Sequence, residues 1–186
     1  MNLNDLQVKI HVFPGGKIPE RKTELAVGFD VFTRAIVSLE MEPGRFGMRK
    51  TFYDFEHEPD PSLPVFRVLC EPKLQHFRIA PRQELLFGCG FALELPSELS
   101  VYVYPRSSTV AQGLWVTWSS VPGDPDFRGE FVFGLYNSSS DFVWIKKHDR
   151  LVQLVFTPRI IPELVPVSCP TGLSKTKRRG NGHTGK

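Results

Sequence analysis

Arg106 is followed by three hydroxyl residues, and this combination of residue types suits the binding of a ligand. Ser107, Ser108 and Thr109 are good N-cap residues. Gly113 is placed to end a helix of about one turn. The N-terminus of a helix presents free N–H groups, and the forked guanidinium of Arg106 adds a cation beside them. The segment therefore suits a phosphate group, although serines that only cap and an arginine paired with a surface acid are the simpler interpretation.

A turn-rich segment, residues 121–129, carries the carboxylates that follow in the chain. Its sequence, VPGDPDFRG, separates two apolar β-like runs and predicts a loop or a wide hairpin. Asp124 and Asp126 lie in it. A carboxylate held near a phosphate can orient or deprotonate a water molecule. The alternative is turn chemistry, because Asp before Pro routinely hydrogen-bonds the backbone of its own turn.

These two segments resemble two motifs of the trimeric dUTPase and dCTP deaminase superfamily. Residues 105–111, PRSSTVA, resemble its phosphate motif P-R-S-G-L-A, and residues 123–129, GDPDFRG, resemble its motif G-x-I-D-x-x-Y-x-G. Three more segments resemble the remaining motifs in the family's order: AVGFDVF at 26–32 (A-x-G-Y-D-L), HDRLVQL at 148–154 (G-D-R-I-A-Q-L) and the basic, Gly-rich tail at 174–186 (R-G-S-G-G-F-G-S-T-G). The resemblance covers most of the chain.

The resemblance implies roles for individual residues. Asp124 would activate the water that attacks the α-phosphorus of a nucleotide triphosphate. Asp30 would reach Mg²⁺, the implied cofactor, through a bound water. The implied substrate-binding residues are Arg106, Ser107, Ser108, Gly123, Phe127, Gln153, Arg179 and His183. His183 stands where the family places a phenylalanine that stacks on uracil, and a histidine buries less area there.

Composition predicts an all-β chain. Fifteen Phe, 16 Pro and 15 Gly among 186 residues favour short strands joined by turns, and no long stretch has helical periodicity. We expect a β domain over residues 1–170, interrupted by an insertion at about 40–76 that has a hairpin of its own, with residues 65–70 as one strand. Residues 171–186 would form a flexible arm that closes over nucleotide. The resemblance implies a distorted jelly-roll-like β-barrel, a short helix after the Arg-Ser-Ser motif, and a homotrimer with sites built between subunits.

Charge, cysteine usage and hydropathy limit the other functional classes. The formal net charge of +3 gives no global argument for nucleic-acid binding, so we expect no stable nucleic-acid partner, although the basic tail alone could retain DNA. Cys70, Cys89 and Cys169 have neither a C-x-x-C pair nor a zinc pattern, which indicates reduced thiols. The N-terminus does not resemble a signal peptide, and no apolar run has membrane-spanning length. We expect a cytoplasmic protein with no membrane partner.

Three functions remain open from the sequence. The first is hydrolysis of dUTP to dUMP and pyrophosphate. The second is dCTP deamination, alone or combined with dUTP hydrolysis; the deaminase branch needs a glutamate in its L-E-L-x-N segment, whereas residues 133–137 read FGLYN and place Gly134 at that position. The third is a catalytically silent nucleotide-binding protein, since Pro122 removes a backbone donor near the base-recognition hairpin. Asp124 argues against the third, because a silent protein has no need of that carboxylate.

Overall fold

The computed structural model describes residues 6–42, 45–54, 70–71, 76–117 and 123–168, and this part of the chain is almost entirely β. The helix within it is α1 (Ser107–Ala111), and no helix of these ranges is long and apolar enough to span a membrane. The strands in chain order are β1 (Lys9–Val12), β2 (Phe29–Phe32), β3 (Ala35–Glu42), β4 (Arg45–Tyr53), β5 (Cys70–Glu71), β6 (His76–Ile79), β7 (Glu84–Gly88), β8 (Phe91–Glu94), β9 (Leu99–Pro105), β10 (Leu114–Val116), β11 (Val132–Asn137), β12 (Val143–Lys146) and β13 (Arg150–Pro158).

The strands form four antiparallel sheets. Their orders are β10-β11-β7-β3-β4, β12-β6-β5, β2-β13-β9 and β1-β8. The expected all-β class with one short helix is confirmed for the described ranges. The expected barrel is not closed there, because the strands pair within separate sheets that pack against one another instead of forming a continuous ladder.

The region of the predicted insertion contains a hairpin. Strands β3 and β4 pair from Ile36 opposite Tyr53 to Glu42 opposite Arg45, with two register shifts between these ends. The hairpin is not separate from the domain, because β3 also pairs with β7 and so continues the five-stranded sheet. The strand that the sequence predicts over residues 65–70 lies, except for its last residue, outside the described part of the chain.

The core is built from the inward faces of these sheets, with aromatic pairs at its centre. Phe87 and Phe133 are fully buried and stack with their ring centroids 5.5 Å apart. Phe91 and Phe131 form a second stacked pair at 5.8 Å. Truncation of a phenylalanine in such a position costs about 3–5 kcal/mol, since lost burial adds to the cavity left behind. The alternate apolar residues Phe91, Leu93 and Leu95 also belong to this core.

Asn137 fixes the end of β11, a role that no sequence pattern indicated. Its side chain is fully buried, yet every polar atom has a partner. Nδ2 donates to the carbonyl oxygens of Ile79 at 3.0 Å and Asp141 at 2.8 Å. Oδ1 accepts from the backbone N–H and the hydroxyl of Ser139, at 3.0 and 2.7 Å. Because a buried amide without partners is costly, this network holds the β11 end against β6 and the turn before β12.

Candidate functional site

Helix α1 begins at the arginine and not at the serines. Arg106 is the N-cap residue, with extended backbone (φ −78°, ψ 153°) and no side-chain capping bond, and Ser107 and Ser108 lie exposed in the first turn. The prediction that these serines cap the helix is therefore wrong. Thr109 is buried instead, and its hydroxyl donates to the Leu151 carbonyl at 2.5 Å. The predicted glycine end is confirmed, since Gly113 has φ +75° and donates to the Val110 carbonyl.

Three side chains from three strands form a row beside Arg106. In sheet β2-β13-β9, Asp30 of β2 is opposite Gln153 of β13, which is opposite Tyr104 of β9. Directly opposed residues of antiparallel strands point to the same face of a sheet. The neighbouring positions Val152 and Leu154 are buried in the core, so the row lies on the other face. Sequence-distant residues of three predicted motifs therefore meet at this face.

Asp30 is a buried carboxylate held between two guanidinium groups. Its side chain is 8% exposed, and Oδ1 lies 2.9 Å from Nε of Arg106 while Oδ2 accepts from Nη1 of Arg150 at 3.1 Å. Arg106 Nη1 also donates to the Arg150 carbonyl at 3.0 Å. A buried charge is tolerated only when it is paired and hydrogen-bonded, and Asp30 meets both conditions. The two arginines with one carboxylate leave an excess positive charge at this face.

Gly28 leaves room for the side chain of Gln153. A Cβ atom at position 28 would lie 2.7 Å from Cδ and 3.0 Å from Cβ of Gln153 and would overlap its Oε1. The group that approaches Gly28 closely is therefore the side chain of Gln153 and not a backbone segment. Gly28 in the motif-like segment at 26–32 thus shapes the position of Gln153 in the segment at 148–154.

The described residues do not form a direct magnesium site. Among them, no group of three or more His, Cys, Asp or Glu side chains could hold a metal ion. Asp30 is the carboxylate of the row, and each of its oxygens already accepts from an arginine. Carboxylate oxygens have further lone pairs, so this donor set suits contact with a metal-bound water and not direct ligation.

The segment with Asp124 lies against the other end of β9. The Gly123 N–H donates to the Val101 carbonyl at 2.8 Å, and the Phe127 N–H donates to the Asp124 carbonyl at 3.0 Å. A Cβ atom at Gly123 would lie 2.5 Å from Val101 and 2.9 Å from the Phe131 ring, so only glycine fits there. Asp124 and Asp126 are both exposed. The segment is a tight turn that presents its carboxylates to solvent.

Phe127 is the partly exposed aromatic of this turn, with 39% of its surface accessible. Its ring lies over Gly129, where an added Cβ would come within 2.6 Å of Cζ. The ring also meets Phe131 edge to face, with centroids 5.8 Å apart. The glycine thus allows one ring face to fold back onto the turn while the remainder stays open to solvent.

Among the described residues, the predicted site residues fall into two groups. Gly123 is anchored opposite Val101, and Arg106 follows Pro105 at the far end of the same strand. At about 3.3 Å per residue, Val101 and Pro105 are about 13 Å apart. Asp30, Arg106 and Gln153 form one group, and Gly123, Asp124 and Phe127 form another. Arg179 and His183 lie outside the described residues.

Arg150 belongs to the first group, and the sequence analysis did not select it as a site residue. Its guanidinium shares Asp30 with Arg106, and it stands at the start of β13 opposite Phe32 of β2. The sequence did contain an indication of this role, because Arg150 lies in the same motif-like segment, 148–154, as Gln153.

Comparison with known proteins finds relatives of the same kind in sequence and in structure. A family model described as dUTPase matches residues 73–185. The deoxyuridine 5'-triphosphate nucleotidohydrolase of Heliobacterium modesticaldum is 31% identical over 187 residues, which cover 97% of this chain and 96% of the relative. The protein of the same name from Desulfotalea psychrophila is 38% identical over 112 residues, covering 58% of this chain and 71% of the relative.

Solved dUTPase structures share the fold. The enzyme of Staphylococcus bacteriophage 80alpha, solved with dUpNHpp, has a TM-score of 0.63 at 14% identity and covers 97% of this chain and 99% of its own. The dUTPase of phage phi11 of S. aureus, solved with a structural Mg(II) ion, has a TM-score of 0.59 at 14% identity and covers 88% and 98%. The expected jelly-roll-like fold is confirmed by this likeness.

Replacement of Gly28 by alanine tests whether this glycine makes room for Gln153. We expect Gly28→Ala to lower the free energy of unfolding by about 1–3 kcal/mol, because the new Cβ overlaps the Gln153 side chain. In a Gln153→Ala background most of that loss should disappear, since the overlapping atoms are gone. Chemical denaturation of the four proteins measures the coupling. An equal loss in both backgrounds would show that Gly28 is needed for its backbone alone.

Proposed function

The chain belongs to the dUTPase family, and from this we propose that it hydrolyses dUTP to dUMP and pyrophosphate. The observation that carries the proposal is the meeting of Asp30, Arg106 and Gln153 on one sheet face, because the family-like motifs converge there in space as well as in order. The relatives named above are nucleotidohydrolases, which favours hydrolysis over other reactions. The face is cationic, as a triphosphate site requires.

In the proposed reaction, Asp124 orients a water molecule and accepts its proton. The water oxygen forms a bond to the α-phosphorus, and the bond between that phosphorus and the oxygen bridging to the β-phosphate breaks, so pyrophosphate leaves with the electron pair. The exposed position of Asp124 leaves its carboxylate accessible to such a water. General-base assistance of this kind contributes about 10²- to 10⁴-fold to the rate.

The charge of the phosphates is neutralised in the proposal by residues of the first group. Arg106 and Gln153 bind phosphate oxygens from the sheet, and Ser107 and Ser108 do so from the exposed first turn of α1. Arg179 of the C-terminal arm adds a further cation. Mg²⁺, when bound with the triphosphate, withdraws charge from the phosphate oxygens. Asp30 would accept a hydrogen bond from a water bound to that ion.

Phe127 is proposed to select deoxyribose over ribose. Its open ring surface offers an apolar contact under the sugar, held in place by Gly129 and Phe131. A ribose 2′-hydroxyl pressed against this ring would lose its water partners without gaining a protein one, which costs free energy. Gly123, buried against Val101, fixes the start of the turn that carries both Phe127 and Asp124. His183 of the arm would close over the base.

A homotrimer would complete this site. Within one chain the turn with Asp124 and the cationic face with Arg106 are separated along β9, and a second copy would supply one of them to a shared nucleotide. Sites formed between identical subunits are a common outcome of closed rotational symmetry. The proposal therefore makes catalysis dependent on assembly.

The surface of the chain also favours association. After β13, an extended segment at 159–168 exposes several large apolar side chains, namely Ile160, Ile161, Leu164, Val165 and Val167. An apolar groove of about 670 Å³ opens near the start of this segment, between β1 and the end of β13. Exposed apolar surface of this extent usually marks an interface. Contact with further copies of the chain would bury it.

The deaminase alternative receives no support from the geometry. Gly134, at the position where a deaminase needs its glutamate, is buried in β11 opposite Leu86 and carries no side chain that could move a proton. Its carbonyl accepts from the Thr117 N–H at 3.0 Å, so its backbone is engaged as well. Hydrolysis is thus the function that the described residues favour.

Conversion of Asp124 to asparagine tests the assigned base. We expect Asp124→Asn to lower the rate of pyrophosphate release about 10²- to 10⁴-fold, because asparagine cannot accept the proton of the water. Binding of a non-hydrolysable dUTP analogue should stay within about tenfold, since the carboxylate acts on the water and not on affinity. Asp126→Asn, an equally exposed carboxylate of the same turn, is the matched control. Equal behaviour of the two variants would mean that Asp126 shares the role or that neither is the base.

Assembly is tested by the mass of the protein in solution. We expect light scattering at micromolar concentration to give three times the mass of the chain, because association completes the site and covers apolar surface. Ile161→Asp and Leu164→Asp, which place charges on the exposed apolar segment, should weaken the assembly and the activity together. A monomer with full activity would contradict the proposal.

Truncation before residue 177 tests the arm. We expect removal of residues 177–186 to lower turnover sharply and leave the melting temperature unchanged, because this basic, Gly-rich sequence contains no apolar residues for a core but supplies Arg179 and His183 to a closed complex. Salt-sensitive retention on DNA is measured in parallel. Unchanged turnover with lost DNA retention would identify a nucleic-acid-binding tail instead.

A further inference from the structure

Arg150 is an ionic neighbour of Arg106 that the proposed reaction has not used. The two guanidinium groups contact different oxygens of a single carboxylate, Nε of Arg106 at 2.9 Å from Oδ1 of Asp30 and Nη1 of Arg150 at 3.1 Å from Oδ2. The Arg106 Nη1 bond to the Arg150 carbonyl adds a third contact between the partners. The arrangement joins β2, the end of β9 and the start of β13 in one cluster.

Each arginine of the cluster keeps hydrogen-bonding capacity. A guanidinium carries five N–H donors, and the described contacts use only part of them in both residues. The side chains of Arg106 and Arg150 are 29% and 32% exposed, whereas that of Asp30 is 8% exposed. Solvent therefore reaches the cations while the carboxylate lies beneath them. Such a pair matches an anion that presents several oxygens, as a phosphate chain does.

Other charged groups near Arg150 leave this excess in place. Glu20 lies on the backbone segment that pairs with Asp30, and Arg150 is among the cations that lower the pKa of its carboxyl. The largest cause of that lowered pKa is, however, the hydrogen bond from Lys22, which forms an ion pair with Glu20. Glu20 and Lys22 thus balance each other. Arg106, Arg150 and Asp30 together keep a net positive charge.

We infer that Arg150 is a further phosphate-binding residue and that Asp30 is a positioning residue, which holds Arg106 and Arg150 side by side as one receptor for the phosphate chain of the nucleotide. The inference rests on the proposed function for the identity of the ligand. Two guanidinium groups repel each other, and the carboxylate beneath them offsets this repulsion and fixes the direction of both forks. Asp30 acts through the arginines and has no direct contact with phosphate.

The sign of one substitution distinguishes positioning from simple charge. Asp30→Asn raises the net charge of the cluster by one, so an effect of charge alone would tighten the binding of an anion. Loss of positioning predicts the opposite, because the arginines lose the acceptor that orients them. Inorganic triphosphate in the presence of EDTA is the probe, since without a divalent metal any contact between Asp30 and a metal-bound water makes no contribution.

Titration calorimetry of inorganic triphosphate tests the inference on the full chain. We expect Arg150→Gln and Asp30→Asn each to weaken binding about tenfold or more, as loss of a charge-assisted contact predicts. Arg150→Lys should recover only part of the affinity, because an ammonium lacks the fork. Arg82→Gln, which removes the same charge from an exposed arginine in the turn between β6 and β7, is the control and should stay within about twofold of the unaltered protein.

The outcomes separate the inference from the proposed reaction. Melting temperatures and circular dichroism establish that each variant is folded, and Arg150→Gln serves as the second variant if Asp30→Asn does not fold. Unchanged triphosphate affinity in Arg150→Gln, with a lower melting temperature, would make the cluster purely structural and overturn the inference. Tighter binding by Asp30→Asn would overturn the positioning role. Triphosphate binding that depends on Arg150, in a protein that releases no pyrophosphate from dUTP, would support the inference and reject the proposed hydrolysis.

Discussion

The ion-paired carboxylate of Asp30 is the constraint on which the candidate site depends. A carboxylate removed from water is stable in the ionised form only with partners close at hand, and its partners here come from the ends of two other strands. These ion pairs join β2, the end of β9 and the start of β13 at one point. In the proposed site, the cationic face is thus organised by a carboxylate that the phosphates do not need to touch.

Around this constraint, glycines determine which side chains can approach. Gly28 leaves space for Gln153 beside Asp30, and Gly129 leaves space for the ring of Phe127. Both glycines act through the volume that they leave empty. The same physical device therefore shapes the cationic face and the aromatic turn, although the two lie at opposite ends of β9.

The distance between these two parts explains why assembly and activity are linked in the proposed function. The turn with Asp124 and the cationic face are separated along β9, so in the proposed function a second copy supplies one of them to the nucleotide. Association of such copies would bury the exposed apolar segment after β13 and the apolar groove beside it. In the proposed assembly, burial of this apolar surface would favour the association of the copies.

The sequence by itself determined the all-β class and the turn that carries Asp124, because the composition typical of strands and the conformational limits of Pro and Gly act locally. It also selected Asp30, Arg106 and Gln153 as site residues, through motif order. The prediction that serines cap helix α1 was wrong. The buried hydroxyl of this segment belongs to Thr109, and it donates to the carbonyl of the sequence-distant Leu151. Only the tertiary structure decided that Asp30 pairs with both Arg106 and Arg150 and that Asn137 joins β11 to β6. These contacts link residues up to 120 positions apart, and their existence depends on strand register, which is set by packing of the whole core.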